Sequence, residues 1–355
     1  MFRRLTAEEA DELERRMLIE MAARYRGGPG YGTRRKNRML KKTIRRVDTR
    51  NMSREEWLAQ RRHSIGGSDA AAIIGLNHWA SPYTVWADKT GRLPDKPDTE
   101  AMRIGRDLEE YVARRWCEDT GKEVRRCNAI LYNDDYPFAH ADVDRLVVGE
   151  DAGLECKTTS TLDVKQFGNT DFPEQYYAQC VHYLAVTGLQ KWYLAVLVFG
   201  RGFFTFELER DEAEIEALMA AEQSFWVKVQ TDTPPTPDGS KPTGEALKTI
   251  YAESAADGQR ELFGREPMLG EYMSLKRQQA ALDERISEIE NVIKLDMEDA
   301  EKGFVGRYSV SWKTQTRRTF QAKAFVADNP EVDLSKYYQE STSRPFKVTE
   351  KKETA

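Results

Sequence analysis

Asp144 is followed, a few residues on, by Gly153-Leu154-Glu155-Cys156-Lys157. In an extended strand alternate side chains share a face, so Glu155 and Lys157 project together while Leu154 and Cys156 turn toward a core. Two carboxylates beside one ammonium can gather a hard divalent cation and a phosphate, chemistry suited to Mg²⁺-assisted attack of water on a phosphodiester. Lys157 cannot ligate a metal while protonated, but it can orient the water or stabilise developing negative charge. Taken alone, Glu-x-Lys also describes a surface salt-bridge patch. The choice rests on the flanking sequence.

Four elements would have to position these groups. The run Phe138–Val148 (FAHADVDRLVV) is strongly β-prone. If it is one extended strand, Asp142, Asp144 and His140 share a face, and only one of the two acids need ligate metal; a lone His is more often structural. A turn at Glu150-Asp151 would make a hairpin that brings Asp144 beside Glu155. A helix near 100–120 carries an apolar stripe of Ile104, Leu108, Tyr111, Val112 and Trp116. Glu109 falls at the edge of that stripe and needs a metal, an Arg or ordered water; Glu110 falls on the far, solvated side. A helix over 174–187 buries Tyr176, Tyr177, Cys180 and Leu184 and sets Gln179 at its margin, where the amide could position water or a phosphate oxygen, or simply face solvent. Upstream, Arg61 precedes Gly66-Gly67-Ser68-Asp69. Ser68 or Asp69 is a good N-cap and Gly75 a good stop. Two glycines, a hydroxyl and a nearby Arg would suit a phosphate, although most such turns bind nothing.

The 355 residues allow one substantial core and an accessory domain. Hydrophobic content of 40% and charged content of 32% fit a well-charged globular protein. No apolar run approaches a membrane span, and the start, Met-Phe-Arg-Arg-Leu-Thr, has no apolar signal region, so a cytoplasmic location is expected. Cys117, Cys127, Cys156 and Cys180 form no C-x-x-C pair, which argues against zinc, an iron–sulfur cluster or a disulfide framework. The net charge is −5, yet residues 34–46 carry eight basic side chains and no acid. Such a cluster could displace counterions from a phosphate backbone, or be a solvated arm.

The predicted organisation is a basic helical arm over 1–50, with a helix over 5–26, then a main domain of alternating helices and strands over 51–230. A Pro-rich linker over 231–250 and a C-terminal extension over 251–355 follow. In the extension Met268, Tyr272, Leu275, Leu282, Ile286, Ile289 and Ile293 repeat in alternating steps of four and three, interrupted only by Gln279. This is a long helix with a coiled-coil-like seam, for packing on its own domain or for contact with another subunit. Residues 304–312 read as a strand, followed by a basic patch from Lys313 to Arg318.

Together these segments resemble the YqaJ-like viral recombinase family, the lambda-type phage exonucleases within the PD-(D/E)xK nuclease superfamily. The likeness runs from about Trp57 to Lys228. It is carried by Trp57-x₃-Arg61-x₄-Gly66-Gly67-Ser68, Gly105-x₂-Leu108-Glu109, Val143-Asp144-Arg145-Leu146, Leu154-Glu155-Cys156-Lys157 and Tyr177-Ala178-Gln179-x₃-Tyr183. The resemblance implies an α/β restriction-endonuclease-like core, with a mixed central sheet flanked by helices, extended here by the long helix and a small β element. It makes Asp144 and Glu155 metal ligands with the Cys156 backbone carbonyl, Lys157 the catalytic lysine, and Glu109 and Gln179 supporting residues, Glu109 being also a candidate ligand. Arg61, Ser68 and Gly67 fall where a terminal 5′-phosphate would sit. Asp142 departs from the pattern, where the family often has a small or polar residue. A carboxylate there repels phosphate unless a metal or Arg61 neutralises it, which leaves Asp142 as a further candidate ligand.

The implied activity is Mg²⁺-dependent digestion of double-stranded DNA ends, 5′→3′, with Mn²⁺ as a substitute metal. It would leave 3′ overhangs for a phage single-strand annealing protein and would use a ring-like homo-oligomer. The alternatives are a structure- or site-specific endonuclease on the same fold and a non-catalytic DNA-binding assembly protein.

Overall fold

The computed structural model describes residues 44–95, 97–160, 172–255, 258–339 and 342–350. The helix expected over 5–26 and most of the basic segment lie outside the described residues. The chain forms two compact units that divide between Ile250 and Tyr251.

The first unit holds two sheets. In one, β1 (Ile44–Asp48) pairs with β4 (Ala129–Asn133), β4 with β5 (Ala139–Asp142), and β5, in parallel, with the short β2 (Ile65–Gly66). Arg45 and Arg46, the end of the basic segment, are therefore strand residues, and Arg46 donates to the Cys127 carbonyl. The second sheet is mixed. Its order is β3 (Val124–Arg126), β6 (Arg145–Val147), β7 (Ala152–Thr159), β8 (Lys191–Val198) and β9 (Gly202–Glu209), with only β7 and β8 parallel. Trp192, Leu194 and Val196 of β8 enter cores on one face, while Tyr193 and Ala195 join Leu154, Val112 and Trp116 on the other. Burial on both faces is what a sheet between helices requires.

The helices follow from their caps. Helix α1 (Arg54–Arg62) begins with a capping box between Ser53 and Glu56. Helices α2 (Gly67–Ile73) and α3 (Pro82–Lys89) follow, the latter capped by Ser81. Helix α4 (Glu100–Thr120) runs from the Thr99 cap to Gly121, whose φ of 69° ends it in the left-handed conformation. It lays Val112, Ala113 and Trp116 against β7 and β8, whereas Tyr111, expected in its stripe, is exposed. Helix α5 (Glu174–Thr187) packs on β4 and β5 of one sheet, on β8 of the other and on α2. Everything from Ala178 to Val186 is buried, so the buried surface extends well beyond the expected Cys180 and Leu184, whereas Tyr176 and Tyr177 are only half-buried. Helices α6 (Glu212–Gln230) and α7 (Lys241–Ile250) complete the unit. Helix α7 lies within the stretch read as linker; its Thr243 and Ala246 are buried, and Thr243 shares a 2.7 Å hydrogen bond with Ser81.

The second unit contains α8 (Glu266–Met297), a hairpin of β10 (Lys302–Val305) and β11 (Tyr308–Ser311), and α9 (Ala322–Asp328). The single strand expected over 304–312 is thus two, folded back at Gly306-Arg307, with Gly306 at a φ of 53°. No helix among the described residues is long and apolar enough to cross a membrane.

Candidate active site

The run from Phe138 to Val148 is not one strand. It leaves the first sheet after Asp142, crosses at Val143-Asp144 and enters the second sheet at Arg145. Asp142 and Asp144 thus belong to different surroundings rather than to one strand face. The expected hairpin does form. Arg145 lies opposite Leu154 and Leu146 opposite Gly153, and continuing that register sets Asp144 opposite Glu155.

Asp144 accepts the backbone N–H of Cys156 at 2.8 Å. Burial, and then the neighbouring Glu155, push its carboxyl well above the usual carboxylate range. The Glu155 side chain is buried, and its Oε1 receives Lys157 Nζ at 2.6 Å and Gln179 Nε2 at 2.7 Å. Its other oxygen, Oε2, is buried without a hydrogen-bond partner. Lys157 also faces the Tyr176 ring, 5.7 Å from its centroid. Burial opposes the lysine's charge, but Glu155 and Asp144 outweigh it and hold the ammonium firmly protonated. Gln179 is buried rather than solvated and anchors on Tyr183 Oη at 2.8 Å. Burial drives the Cys156 thiol well up, so its sulfur stays an unreactive thiol behind the site.

Sequence reasoning assigned no role to Arg145. Its side chain is almost fully buried; Nη1 binds Glu109 and Nη2 binds Glu110 at 3.0 Å, while Arg126 reaches Glu110 at 2.7 Å. Glu109 therefore meets its need for a partner through an arginine, and exposed Glu110 is paired rather than merely solvated. The signal was available: Arg145 alternates with Val143 and Val147 in a β-prone run, and a charge at such an alternating apolar position needs a buried partner. A cleft of about 190 Å³ opens over this region, lined by Trp57, Glu109, Arg126, Asp142, Asp144 and Arg145 among others.

A second cluster adjoins the first through Asp142. Arg61 stacks over the Trp57 ring at 4.4 Å, donates to Ser68 Oγ at 2.6 Å and lies 3.7 Å from Asp142 Oδ2. Burial pushes the Asp142 carboxyl up, against the pull of Arg61. His140 is fully buried and shares a 2.8 Å hydrogen bond with Ser64 through Nδ1; its Nε2 has no hydrogen-bond partner and lies 3.8 Å from Asp142 Oδ2. Neither Ser68 nor Asp69 is the N-cap of α2. Gly66 is, and Asp69 accepts its N–H at 3.0 Å. Burial works against the Asp69 carboxylate, but Lys89, 2.7 Å away, and Arg61 outweigh it and hold the group below its usual range. The two glycines serve packing: a Cβ on Gly67 would lie 2.6 Å from the Tyr183 ring, and one on Gly66 2.9 Å from His140 Nε2. Gly75 is the helix stop, at a φ of 76°.

Among the described residues no three His, Cys, Asp or Glu side chains are already gathered in ligating geometry. The donors nonetheless fit a hard divalent cation. They are carboxylate oxygens, one of them is orphaned and buried, and two like charges are pressed together where a cation would relieve them.

The model of the YqaJ-like viral recombinase domain matches residues 56–190. YqaJ of Bacillus subtilis (strain 168) is 41% identical over 304 residues, covering 84% of this chain and 95% of that protein. Among solved structures, the chain is similar to the alkaline exonuclease LHK-Exo from Laribacter hongkongensis, with 22% identity, coverage of 50% of this chain and 94% of that one, and a TM-score of 0.44. It is also similar to a phage related exonuclease from Haemophilus somnus 129PT, with 12% identity, coverage of 50% and 99%, and a TM-score of 0.35. The matched segment contains Arg61, Glu109, Asp144, Glu155, Lys157 and Gln179 together, and with the extended similarity to YqaJ it establishes that the chain belongs to the YqaJ-like viral recombinase family.

Proposed function

We propose that this chain is a metal-dependent deoxyribonuclease that digests double-stranded DNA from its ends, 5′→3′, and leaves 3′ single strands for an annealing partner. The observation that carries the reading is the convergence of Asp144, Glu155 and Lys157, with the buried Glu155 Oε2 left unpartnered.

Asp144, Glu155 and the Cys156 carbonyl would hold Mg²⁺, with Mn²⁺ as a substitute. The cation's contribution is charge that acidifies the attacking water and screens the phosphate. Gln179 and the Cys156 N–H each fix one carboxylate, leaving one oxygen of each for a cation. Lys157, held protonated, stabilises the extra negative charge on the phosphorane-like transition state. Arg145 pins Glu109 in the lining of the cleft, where its carboxylate would support the metal site. Arg61 and Ser68, beside Gly67, would receive the terminal 5′-phosphate, with Asp142 offsetting part of the Arg61 charge.

End-labelled linear duplexes in Mg²⁺ are expected to shorten from the 5′ end while covalently closed circles survive. Lys157→Ala and Glu155→Ala should each lower the rate by at least about 10²-fold, with duplex binding retained in Ca²⁺. Cleavage of closed circles, or wild-type digestion by either variant, would overturn the proposal.

A further inference from the structure

From Leu275 to Ile293 every residue of α8 is exposed, on all sides of the helix. That is about 28 Å of helix with nothing of its own unit packed on it. At its start Tyr272 meets Phe346 edge-on at 6.1 Å, and at its end Met297 is buried. In proteins most of a helix's stability comes from packing its apolar face. Here that face consists of Leu275, Leu282, Ile286, Ile289 and Ile293, with Leu282 at 64% exposure.

We infer that this segment docks in parallel and in register against the same segment of a second copy of the chain, as a two-stranded coiled coil. Three features of the seam select this occupant. First, spacing assigns Tyr272, Gln279, Ile286 and Ile293 to a positions and Leu275, Leu282 and Ile289 to d positions. Leu occupies d at 275 and 282 and Ile occupies a at 286 and 293, the choices that suit a parallel pair, and Ile289 is the one d position that departs from them. Second, the single polar core position, Gln279, meets only its own counterpart when the register is zero, and a lone polar a residue fixes register at a cost in stability. Third, the flanking charges complement each other between copies. In this arrangement each g residue faces the e residue five positions later on the partner strand. That pairs Glu271 with Lys276 and Arg285 with Glu290, opposite charges both times, and sets uncharged Gln278 against Asp283.

In the single chain these groups make local contacts: Lys276 with Gln279 at 3.0 Å and over the Tyr272 ring at 5.9 Å, Arg285 with Glu288 at 2.6 Å and Glu290 with Lys294 at 2.9 Å. Such pairs are weak and exchange readily. The contact is independent of the nuclease reading.

The test uses the full chain. Gln279→Cys and Ile293→Cys variants are oxidised separately, with the unsubstituted chain as baseline for the native cysteines. Both should give a covalent pair of chains above that baseline. Linkage at one position only would mean an antiparallel pair and would overturn the inference. By light scattering, Ile286→Asp should halve the mass of the assembly, with the circular dichroism of the first unit retained; an unchanged mass, or a chain that is monomeric at every concentration, would overturn it. Glu271→Lys and Lys276→Glu should each weaken association roughly fivefold, and the double variant should restore it. Failure of that rescue would also count against the pairing.

Discussion

Gln179 fixes one oxygen of Glu155. Its amide holds Oε1 at 2.7 Å and is itself tied to Tyr183. Gln179→Ala should therefore weaken metal binding by about 10–100-fold and leave the fold intact, as read from the Mg²⁺ dependence of cleavage beside an unfolding curve. Asp144 gives the pH dependence. Its folded-state carboxyl titrates above the unfolded value, so the metal-free protein keeps that proton over a range in which an ordinary Asp has lost it, and the stabilisation this brings fades as pH rises through the raised value. A cation must displace the proton. Metal affinity should rise with pH through that window, and calorimetry in buffers of different ionisation enthalpy should show proton release on binding. Asp142 should govern the choice of end. With its carboxylate 3.7 Å from Arg61, the pocket is close to charge-neutral. Asp142→Ser should raise the preference for 5′-phosphorylated over 5′-hydroxyl duplexes by about tenfold, and an unchanged ratio would show that the terminal phosphate binds elsewhere.

At the scale of elements, α5 is the spine of the first unit, and its buried polar residues account for much of what the sequence concealed. His182 donates to or accepts from Glu222 at 2.8 Å through Nδ1 and meets the His140 carbonyl at 2.8 Å through Nε2, so one buried pair ties α5, α6 and β5 together. Glu222→Ala would strand the imidazole and cost about 3–5 kcal/mol, a drop in melting temperature of roughly 10 °C, although no residue of the cleft changes. Gly67→Ala would drive a methyl into the Tyr183 ring and cost about 1–3 kcal/mol; both losses are read by thermal denaturation. The hairpin, α4 and the stop at Gly75 were legible because each is encoded locally, by alternation, by a cap or by a left-handed glycine. The break at Val143-Asp144 was not. Asp142, Val143 and Asp144 are equally compatible with one strand or two, and only the demand of two separate sheets for partners decides between them. The depth of Gln179 was hidden for a related reason: a helix packed on several sides has no polar face against which a margin can be drawn. Glu222 gave no signal at all, since an acid in a helix becomes a buried partner only through the histidine it meets.

For the whole molecule, the chain carries its candidate chemistry in the first unit and an uncovered apolar helix in the second. Asp144 stands at the crossing between the four-stranded and the five-stranded sheet, with its carboxylate already fastened to the β7 backbone. A cation shared by Asp144 and Glu155 would act as a rivet through that seam, closing one of the places where the backbone passes from one sheet to the other. Loading the protein with Mg²⁺ at about a hundred times its dissociation constant should add about 2.7 kcal/mol of stability, and Asp144→Asn should abolish that gain. The ion proposed to assist cleavage would then also brace the junction between the two sheets beside the groove that would receive the strand.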